Sequence, residues 1–386
     1  MVHIVGWGHT KFGKQADADL ETLIVAAGQE ALTHAQLPAR DAGGIWVGHF
    51  NGGLVPDGFP SSLALAIDKD LRFVPATRLE NACASGSAAV FAARNAIEAG
   101  RTKIALVIGA EKMTHLRSGE VGQALGHASY QRQEAGLTFP QVFAGFARAY
   151  AEKWGDPSYA MAQIAAKNHA NAMNNPLAQL HKMLPVEFCA TVSDQNPMIA
   201  DPLKMSDCSL VSDGAAALIM VADELATDFP QAVKMRAGEQ VNDYLPMAGR
   251  DLTAFEGPAR AIAQAMHASG TTIHDMDLAE VHDCFTIAEL LLYEAMGLAK
   301  PGQGQSAIES GLVAADGALP VNLSGGLKAK GHPVGATGVS MHVMVARQLC
   351  NQADAMQRDG ANLGLVFNMG GSGVANYASV LEAVHS

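Results

Sequence analysis

The sequence contains no apolar run long enough to cross a membrane. Its longest uninterrupted apolar stretch is AAALIMVA, Ala215–Ala222, whereas a membrane-spanning helix needs roughly 20 residues. The opening residues, MVHIVGWGHTKFGK, lack the basic and apolar segments of a secretory signal, and the final residues, EAVHS, contain no peroxisomal tripeptide. We therefore expect a cytoplasmic protein without a membrane span.

Basic residues and cysteines are also scarce. The chain has 26 Lys and Arg against 38 Asp and Glu, a net charge of −12, which argues against a nucleic-acid partner because phosphate neutralisation needs clustered cations. The five cysteines form no CxxC pair and no zinc-like spacing. Reduced thiols are expected, and no metal site is predicted.

Strand-like and helix-like segments alternate along the 386 residues, of which 49% are hydrophobic. Short apolar runs that end in glycine or polar residues predict strands, and they include HIVGWG, GGIWVGHF, KIALVIGAE, AALIMVADE, AEVHDCF and NLGLVFNMGG. Ala-rich segments with helical periodicity lie between them, such as LETLIVAAGQEALTHA and ASGSAAVFAARNAIEAG. This alternation predicts an α/β fold.

An internal repeat organises the chain. Residues Ala31–Phe50 resemble Ala265–Phe285, and CASGSAAVFAAR resembles GATGVSMHVMVAR; in each pair a helix leads to a strand. The segment between the repeats is rich in Met, His, Asn and Gln, and it contains the helix-like FPQVFAGFARAYAEKWG. We therefore predict an N-terminal half over 1–112 and 211–232, an inserted loop domain over 113–210 that covers the substrate, and a C-terminal half over 233–386.

The stretch NACASGS places Cys83 just before an Ala-rich helix. Unpaired N–H groups and the positive end of the helix dipole lower the pKa of a cysteine at such a position and stabilise an oxyanion. Those are the properties of a thiolate nucleophile. A buried packing cysteine is the alternative interpretation, since free cysteines are among the most buried residues.

The stretch GGLKAKGHPVGATG, Gly325–Gly338, holds His332 between Gly331 and Pro333. It lacks the Lys and Ser/Thr that a phosphate-binding loop requires. Dense glycine lets the backbone approach a ligand, and an imidazole held in one orientation suits a general base. A structural histidine in a turn is the alternative.

The stretch HDCF brings three reactive side chains together. Adjacent residues of a strand point to opposite faces, so only His282 and Cys284 can share one side, while Asp283 points away. This alternation leaves too few ligands on one side to favour a metal. Near the N-terminus IVGWGHTKFG lacks the GxGxxG spacing of a dinucleotide site.

Together, NACASGS, HDCF, GGLKAKGHPVGATG and NMGGSG, in this order on a duplicated α/β scaffold, resemble the thiolase superfamily. The similarity is to the sterol-carrier-protein type and its archaeal and bacterial relatives, and it covers essentially the whole chain. It implies the thiolase fold, in which two βαβαβαββ halves stack as five layers, αβαβα.

The resemblance also implies roles for individual residues. Cys83 would be acylated by a coenzyme A thioester, and His332 would take its proton and later polarise the thioester oxygen of the second substrate. His282 would help to form the first oxyanion hole, and the backbone N–H groups of Cys83 and Gly370 would form the second. No permanently bound cofactor is implied, since coenzyme A and acyl-CoA are substrates. Three lysines are candidates to bind the coenzyme's phosphates: Lys167, Lys204 and Lys328.

One position departs from the pattern of most thiolases. A second cysteine usually stands in a C-terminal CxG motif and moves the α-proton of the acetyl thioester, but here the motif reads NMG, with Asn368. An amide has no titratable proton for this task. In the sterol-carrier-protein type the cysteine of HDCF is taken to replace it, which makes Cys284 the predicted acid/base.

The predicted function is therefore acyl-CoA:acetyl-CoA C-acyltransferase, which cleaves or forms 3-ketoacyl-CoA through acyl-Cys83 in a homodimer or homotetramer. Three alternatives stay open. The first is a retro-aldolase that works with a small OB-fold zinc-ribbon partner protein, although such relatives typically lack the cysteine. The second is acyl transfer to an acceptor that is not a thioester. The third is an inactive scaffold subunit.

Overall fold

The computed structural model describes residues 1–384 and has a mixed α/β architecture. Its strands are β1 Val2–His9, β2 Gly44–Gly48, β3 Ala76–Leu79, β4 Ile104–Glu111, β5 Met198–Ala200, β6 Leu203–Lys204, β7 Gly214–Ala222, β8 Val233–Asn242, β9 Leu278–Val281, β10 Leu363–Gly370 and β11 Ala375–Ala383. Its α-helices are α1 Leu20–His34, α2 Pro60–Leu63, α3 Ser85–Glu98, α4 Ser118–Gly126, α5 Gln131–Glu134, α6 Phe139–Trp154, α7 Ser158–Ala172, α8 Val186–Ala190, α9 Glu256–Ser269, α10 Thr286–Ala295, α11 Gln305–Glu309 and α12 Thr337–Leu349.

The strand order shows the duplication that the sequence predicts. Nine strands form one sheet in the order β3-β2-β4-β7-β1-β8-β11-β10-β9, and a parallel bridge between Ala279 and Val321 extends it beyond β9. In the first half β2 pairs in parallel with β4, and β4 and β1 pair antiparallel with β7. In the second half β9, β10, β8 and β11 repeat these relations. Each half therefore has the same topology.

Helices cover the strands in the predicted layers. Helix α1 packs on the outer face of β1, β7 and β4, and α9 packs on β8 and β11. Helices α3 and α12 contact each other, and α12 touches strands of both halves. Across the molecule, the layers are therefore an outer helix, a layer of strands, the two central helices, a second layer of strands and a second outer helix. The two sets of strands are continuous because Val2–Ile4 of β1 pair with Val233–Met235 of β8.

Glycine lets the two central helices approach closely. A Cβ on Gly338 of α12 would lie 2.3 Å from the backbone nitrogen of Ser87, and one on Gly86 of α3 would lie 2.8 Å from the carbonyl oxygen of Gly335. Any larger side chain would push the helices apart. The two glycines occupy matching places in the repeated segments, so the halves meet backbone to backbone.

Local sequence signals explain where several helices begin and end. The carboxylate of Asp19 accepts the N–H of Thr22 and caps α1. Thr138 and Gln141 form a capping box at the start of α6, which covers the segment predicted as a helix. Gly270 ends α9 in the left-handed region, with φ 66°.

The segment 113–210 contains α4 to α8 and the hairpin β5–β6. Its two ends are tied together at Asp213, whose carboxylate accepts hydrogen bonds from the backbone of Met113 and Thr114, the Thr114 hydroxyl, the Lys112 ammonium and the backbone of Gln15. The domain division itself stays a prediction. Among residues 1–384, no helix is both long and apolar enough to span a membrane.

Candidate active site

Three loops bring the predicted residues to one place. Cys83 precedes α3, His282 and Cys284 follow β9, and His332 precedes α12. One ligand atom each of Cys83, His282 and His332 lies within 4.8 Å of the others. Cys83, Cys284 and His332 line one cavity. The nucleophile's loop comes from the N-terminal half and the other two loops come from the C-terminal half.

The environment of Cys83 differs from the one expected for a helix N-terminus. The residue is only 9% exposed, and burial raises the pKa of its thiol to about 12, against the opposing effect of the Gly371 backbone N–H. The carboxylate of Glu111 raises that pKa further. The expectation of a lowered pKa was wrong, because desolvation outweighs the helix dipole here. The resting nucleophile is a thiol, and a base must remove its proton.

The loop after β10 contributes a backbone donor that the sequence did not indicate. The hydrogen bond to the Cys83 thiol comes from Gly371, which has φ 63°, whereas Gly370 was the residue expected to serve the second oxyanion hole. Gly370 packs closely on Asn81: a Cβ added to Gly370 would lie 2.1 Å from the carbonyl oxygen of Asn81. Gly370 as an oxyanion donor stays a prediction.

The hydrogen bonds of His332 fix which ring nitrogen carries its proton. Nδ1 lies 2.7 Å from the Thr337 hydroxyl, whose own proton is donated to the Pro333 carbonyl. The hydroxyl oxygen must therefore accept from Nδ1–H, and Nε2 is left with a lone pair. Burial and Lys330 lower the pKa of His332 to about 3, so the ring is neutral. A neutral imidazole with a free Nε2 can accept a proton, but with pKa values of about 12 for the Cys83 thiol and about 3 for His332 the transfer must be coupled to attack of the sulfur on the substrate.

Asn368 binds the ring of His282. Its Nδ2 lies 2.8 Å from His282 Nδ1 and 3.2 Å from the Cys83 carbonyl oxygen, and its Oδ1 accepts from the Ser87 hydroxyl at 2.8 Å. His282 is fully buried, and within residues 1–384 its Nε2 has no hydrogen-bond partner. Burial, together with His332, holds the pKa of His282 well below its usual range.

Cys284 is 5% exposed at the wall of the cavity. Burial raises the pKa of its thiol well above the usual range, and the charges of Cys83 and Asp283 add to this effect. Cys208 also lines the cavity, although no sequence motif indicated it. Its Sγ donates to the Lys204 carbonyl at 3.4 Å, so its proton is already engaged.

Asp283 turns away from the cavity, as strand alternation predicted, although β9 ends at Val281. Its carboxylate accepts from the backbone N–H groups of Leu327 and Lys328, in a single π-helical turn over Gly326–Lys330, and from Asn168. These bonds fasten the HDCF loop to the segment that leads into His332. Asp283 therefore orients the two loops relative to each other.

The three lysines proposed for coenzyme A phosphates are buried and already paired. Lys167 lies 2.6 Å from Glu289, Lys204 lies 2.8 Å from Asp207, and Lys328 donates to the Cys208 carbonyl at 2.8 Å. The Lys204 and Lys328 residues are each 3% exposed, and the Lys167 side chain is 7% exposed. If any of these lysines moved to bind phosphate, its buried partner would be left without an ion pair or hydrogen bond, which is costly, so the structure argues against this assignment.

The cavity itself is mainly apolar. The segment 113–210 contributes much of its lining, including Met113, Val121, Leu125, Phe139, Pro140 and Leu210. Such a lining suits a hydrocarbon chain rather than a polar group. The predicted covering segment therefore does form a wall of the site.

The centre also has the composition of a soft-metal site. One cysteine and two histidines within 4.8 Å are ligands that Zn²⁺ accepts, with a fourth position left open. Nδ1 of each histidine is already hydrogen-bonded, in His332 to Thr337 and in His282 to Asn368.

The fold and the site together define a class: a duplicated α/β protein with a buried cysteine and two histidines at the seam between its halves. The comparisons with known proteins agree. Residues 2–224 match the family Thiolase, N-terminal domain, and residues 238–383 match Thiolase C-terminal domain-like. The chain belongs to the thiolase family, and it is a thiolase-type acyltransferase.

Relatives by sequence cover nearly the whole chain. An acetyl-CoA acetyltransferase from Methanothermobacter thermautotrophicus is 36% identical over 376 residues, covering 96% of this chain and 97% of that protein. Human sterol carrier protein 2 is 32% identical over 392 residues, covering 96% of this chain and 70% of that protein. These relatives agree with the type that the motifs indicated.

Solved structures share the fold. An Ltp2-ChsH2(DUF35) aldolase superposes with a TM-score of 0.84 at 22% identity, covering 99% of this chain and 97% of that one. Human mitochondrial 3-ketoacyl-CoA thiolase in complex with CoA superposes with a TM-score of 0.76 at 17% identity, covering 100% and 98%. At these identities the likeness concerns the fold alone.

Proposed function

We propose that the protein is an acyl-CoA:acetyl-CoA C-acyltransferase that works through acyl-Cys83. The observation that carries the proposal is the convergence of a cysteine thiol, a neutral histidine base and a second thiol on one apolar cavity. A cysteine that attacks a carbonyl forms a covalent intermediate and divides the reaction into two easier steps. Coenzyme A and acyl-CoA act as substrates, without a permanently bound cofactor.

In the thiolytic direction, His332 Nε2 takes the Cys83 proton as the sulfur attacks the 3-keto carbon. The bond between C2 and C3 then breaks, and the acyl group stays on Cys83. The acetyl-CoA part leaves as an enolate, whose C2 takes the proton of the Cys284 thiol. Because the pKa of the Cys284 thiol is raised, the residue rests in the protonated form that this step needs.

The second half restores the enzyme. The thiol of coenzyme A gives its proton to the Cys284 thiolate, and its sulfur attacks the acyl thioester. Cys83 leaves and recovers its proton from His332. Both thiols and the imidazole end in their starting protonation states, and the reverse sequence gives the condensation.

A steady-state assay with acetoacetyl-CoA and longer 3-ketoacyl-CoA substrates tests the proposal. We expect ping-pong kinetics, and mass spectrometry of protein quenched without coenzyme A should show one acyl group on Cys83. Cys83→Ala should show neither turnover nor acylation. An active Cys83→Ala variant would refute the acyl-enzyme. Iodoacetamide labelling of Cys83 that acyl-CoA does not suppress would instead support a scaffold subunit.

A retro-aldolase activity with an OB-fold partner is the second candidate. It is favoured only by the similarity in fold to the aldolase complex, whereas the buried Cys83–His332 centre favours acyl transfer. Addition of a purified OB-fold zinc-ribbon protein to the assay separates the two: an aldolase would need it and would release a free ketone or aldehyde. The oligomeric state stays a prediction, which light scattering would measure.

A further inference from the structure

Asn368 occupies the place of the missing cysteine, yet it is tightly engaged. Its side chain is fully buried and makes three hydrogen bonds, to His282, Cys83 and Ser87. A buried amide that is well satisfied on both ends has a defined orientation. Asn368 is therefore more than a filler for the lost thiol.

The orientation of this amide follows from its partners. The Cys83 carbonyl can only accept a hydrogen bond, so the atom 3.2 Å from it must be the amide nitrogen. The Ser87 hydroxyl donates to the opposite end, Oδ1. The same nitrogen lies 2.8 Å from His282 Nδ1. Because an amide nitrogen cannot accept, His282 Nδ1 must be the acceptor.

A neutral imidazole that accepts at Nδ1 carries its proton at Nε2. His282 Nε2 is buried and has no partner among the described residues. The ring stands edge-on to that of His332, with centroids 5.1 Å apart. An orphaned donor beside the nucleophile is costly unless a ligand accepts from it.

We propose that Asn368 is a positioning residue that holds His282 as its Nε2–H tautomer, so that His282 donates a hydrogen bond to the substrate's thioester oxygen. The inference rests on the proposed function. The two histidines would then have opposite tautomers. The hydrogen bond to Thr337 leaves a lone pair on Nε2 of His332, which can act as a base, and the hydrogen bond from Asn368 leaves a proton on Nε2 of His282, which can be donated. A cysteine at 368 could not donate to two acceptors while accepting from Ser87.

The test is a double-mutant cycle. Asn368→Asp is nearly isosteric, but at pH 8 its carboxylate accepts from Nδ1 and moves the proton of the neutral imidazole off Nε2. We expect the loss of an oxyanion donor, a fall in kcat of about 10² to 10³ with little change in KM, while Cys83 is still acylated. The kcat of Asn368→Ala should fall less than that of Asn368→Asp, because the His282 imidazole then samples both tautomers.

In a His282→Asn background, Asn368→Asp should have an effect at least tenfold smaller. An equal effect in both backgrounds would overturn the proposal, because the residue would then act independently of His282. Nitrogen-15 NMR gives a second readout: the His282 signals should show Nε2–H in the wild type and Nδ1–H in Asn368→Asp. If the wild type shows Nδ1–H, the proposal is wrong.

Failure of this inference and failure of the proposed function look different. A wild type without thiolase turnover or Cys83 acylation rejects the function. A wild type that turns over normally, with Asn368→Asp also at full rate, rejects only the role of Asn368. Melting curves of the variants show whether a loss reflects unfolding.

Discussion

Replacement of Cys284 by alanine tests the acid/base at the centre of the proposed reaction. The residue is 5% exposed, and removal of its sulfur leaves a small void, for which we expect about 1 kcal/mol of lost stability. A positioned acid or base contributes typically about 10² to 10⁴ in rate, which corresponds to roughly 3 to 5.5 kcal/mol. The catalytic effect should therefore exceed the structural one severalfold.

The assay separates the two half-reactions. Acylation of Cys83 by acyl-CoA needs His332, whereas the coenzyme A thiolate that leaves can take its proton from water in place of Cys284, so mass spectrometry should still show acyl-Cys83 in Cys284→Ala. Exchange of the acetyl-CoA methyl protons in D₂O requires proton transfer at that carbon. This exchange should fall by about 10² to 10⁴. The exchange rate of Cys284→Ser should fall by a similar factor, because a buried hydroxyl is a much weaker acid than a thiol.

Cys208 provides the matched control. It lines the same cavity, but its thiol proton is donated to the Lys204 carbonyl, so Cys208→Ala should exchange at nearly the wild-type rate. If Cys284→Ala exchanges within threefold of the wild type, our assignment fails. If Cys208→Ala loses exchange instead, the two thiols have been assigned the wrong way round.

Three further predictions concern stability, metal binding and chain length. Asp213→Asn places an amide N–H against the Lys112 ammonium and should lower the free energy of unfolding in urea by about 3 to 5 kcal/mol. Although burial opposes them, the hydrogen bonds that Asp213 accepts from Lys112, Thr114 and Met113 hold its pKa below 3.8. The stabilisation by Asp213 is therefore present above pH 4 and is lost as the pH falls through the lowered pKa. A variant with unchanged acid sensitivity would contradict this. Zn²⁺ should protect Cys83 from iodoacetamide only weakly, because Asn368 occupies Nδ1 of His282 and leaves the proton on Nε2, so that only Cys83 and His332 can bind the metal; tight stoichiometric protection would contradict this. Leu125→Trp narrows the apolar wall and should raise KM more for long 3-ketoacyl-CoA than for acetoacetyl-CoA; equal effects on both would place the acyl chain elsewhere.

Much of the fold was predictable because its signals are local. The strand-like run Lys103–Glu111 and the Ala-rich segment after Cys83 became β4 and α3 within a residue or two. The repeat predicted two matching halves, and the strand order confirms them. What the repeat could not show is the short pairing of β1 with β8, since three residue pairs leave no periodic trace.

The site was predictable by its residues but not by its electrostatics. The motifs named Cys83, His282, Cys284 and His332, and the structure brings them together. The pKa of Cys83 is raised, whereas the sequence predicted a lowered value, because the burial that raises it depends on distant segments of the chain. The partners of the three lysines were unpredictable for the same reason: Lys167 meets Glu289, 122 residues away. A sequence shows a charge, but not the partner that neutralises it.

The position of β1 in the sheet has a consequence for how the nascent chain folds. Strand β1 is buried along its length between β7 and β8, and His3 contacts Asp223, 220 residues further along. Strand β1 is therefore made well before β7 and β8, and its backbone edges stay unpaired until those strands have been made. Such high contact order slows folding and exposes the strand to aggregation. The candidate site, which needs Cys83, His282 and His332 together, likewise cannot form until His332 has been made.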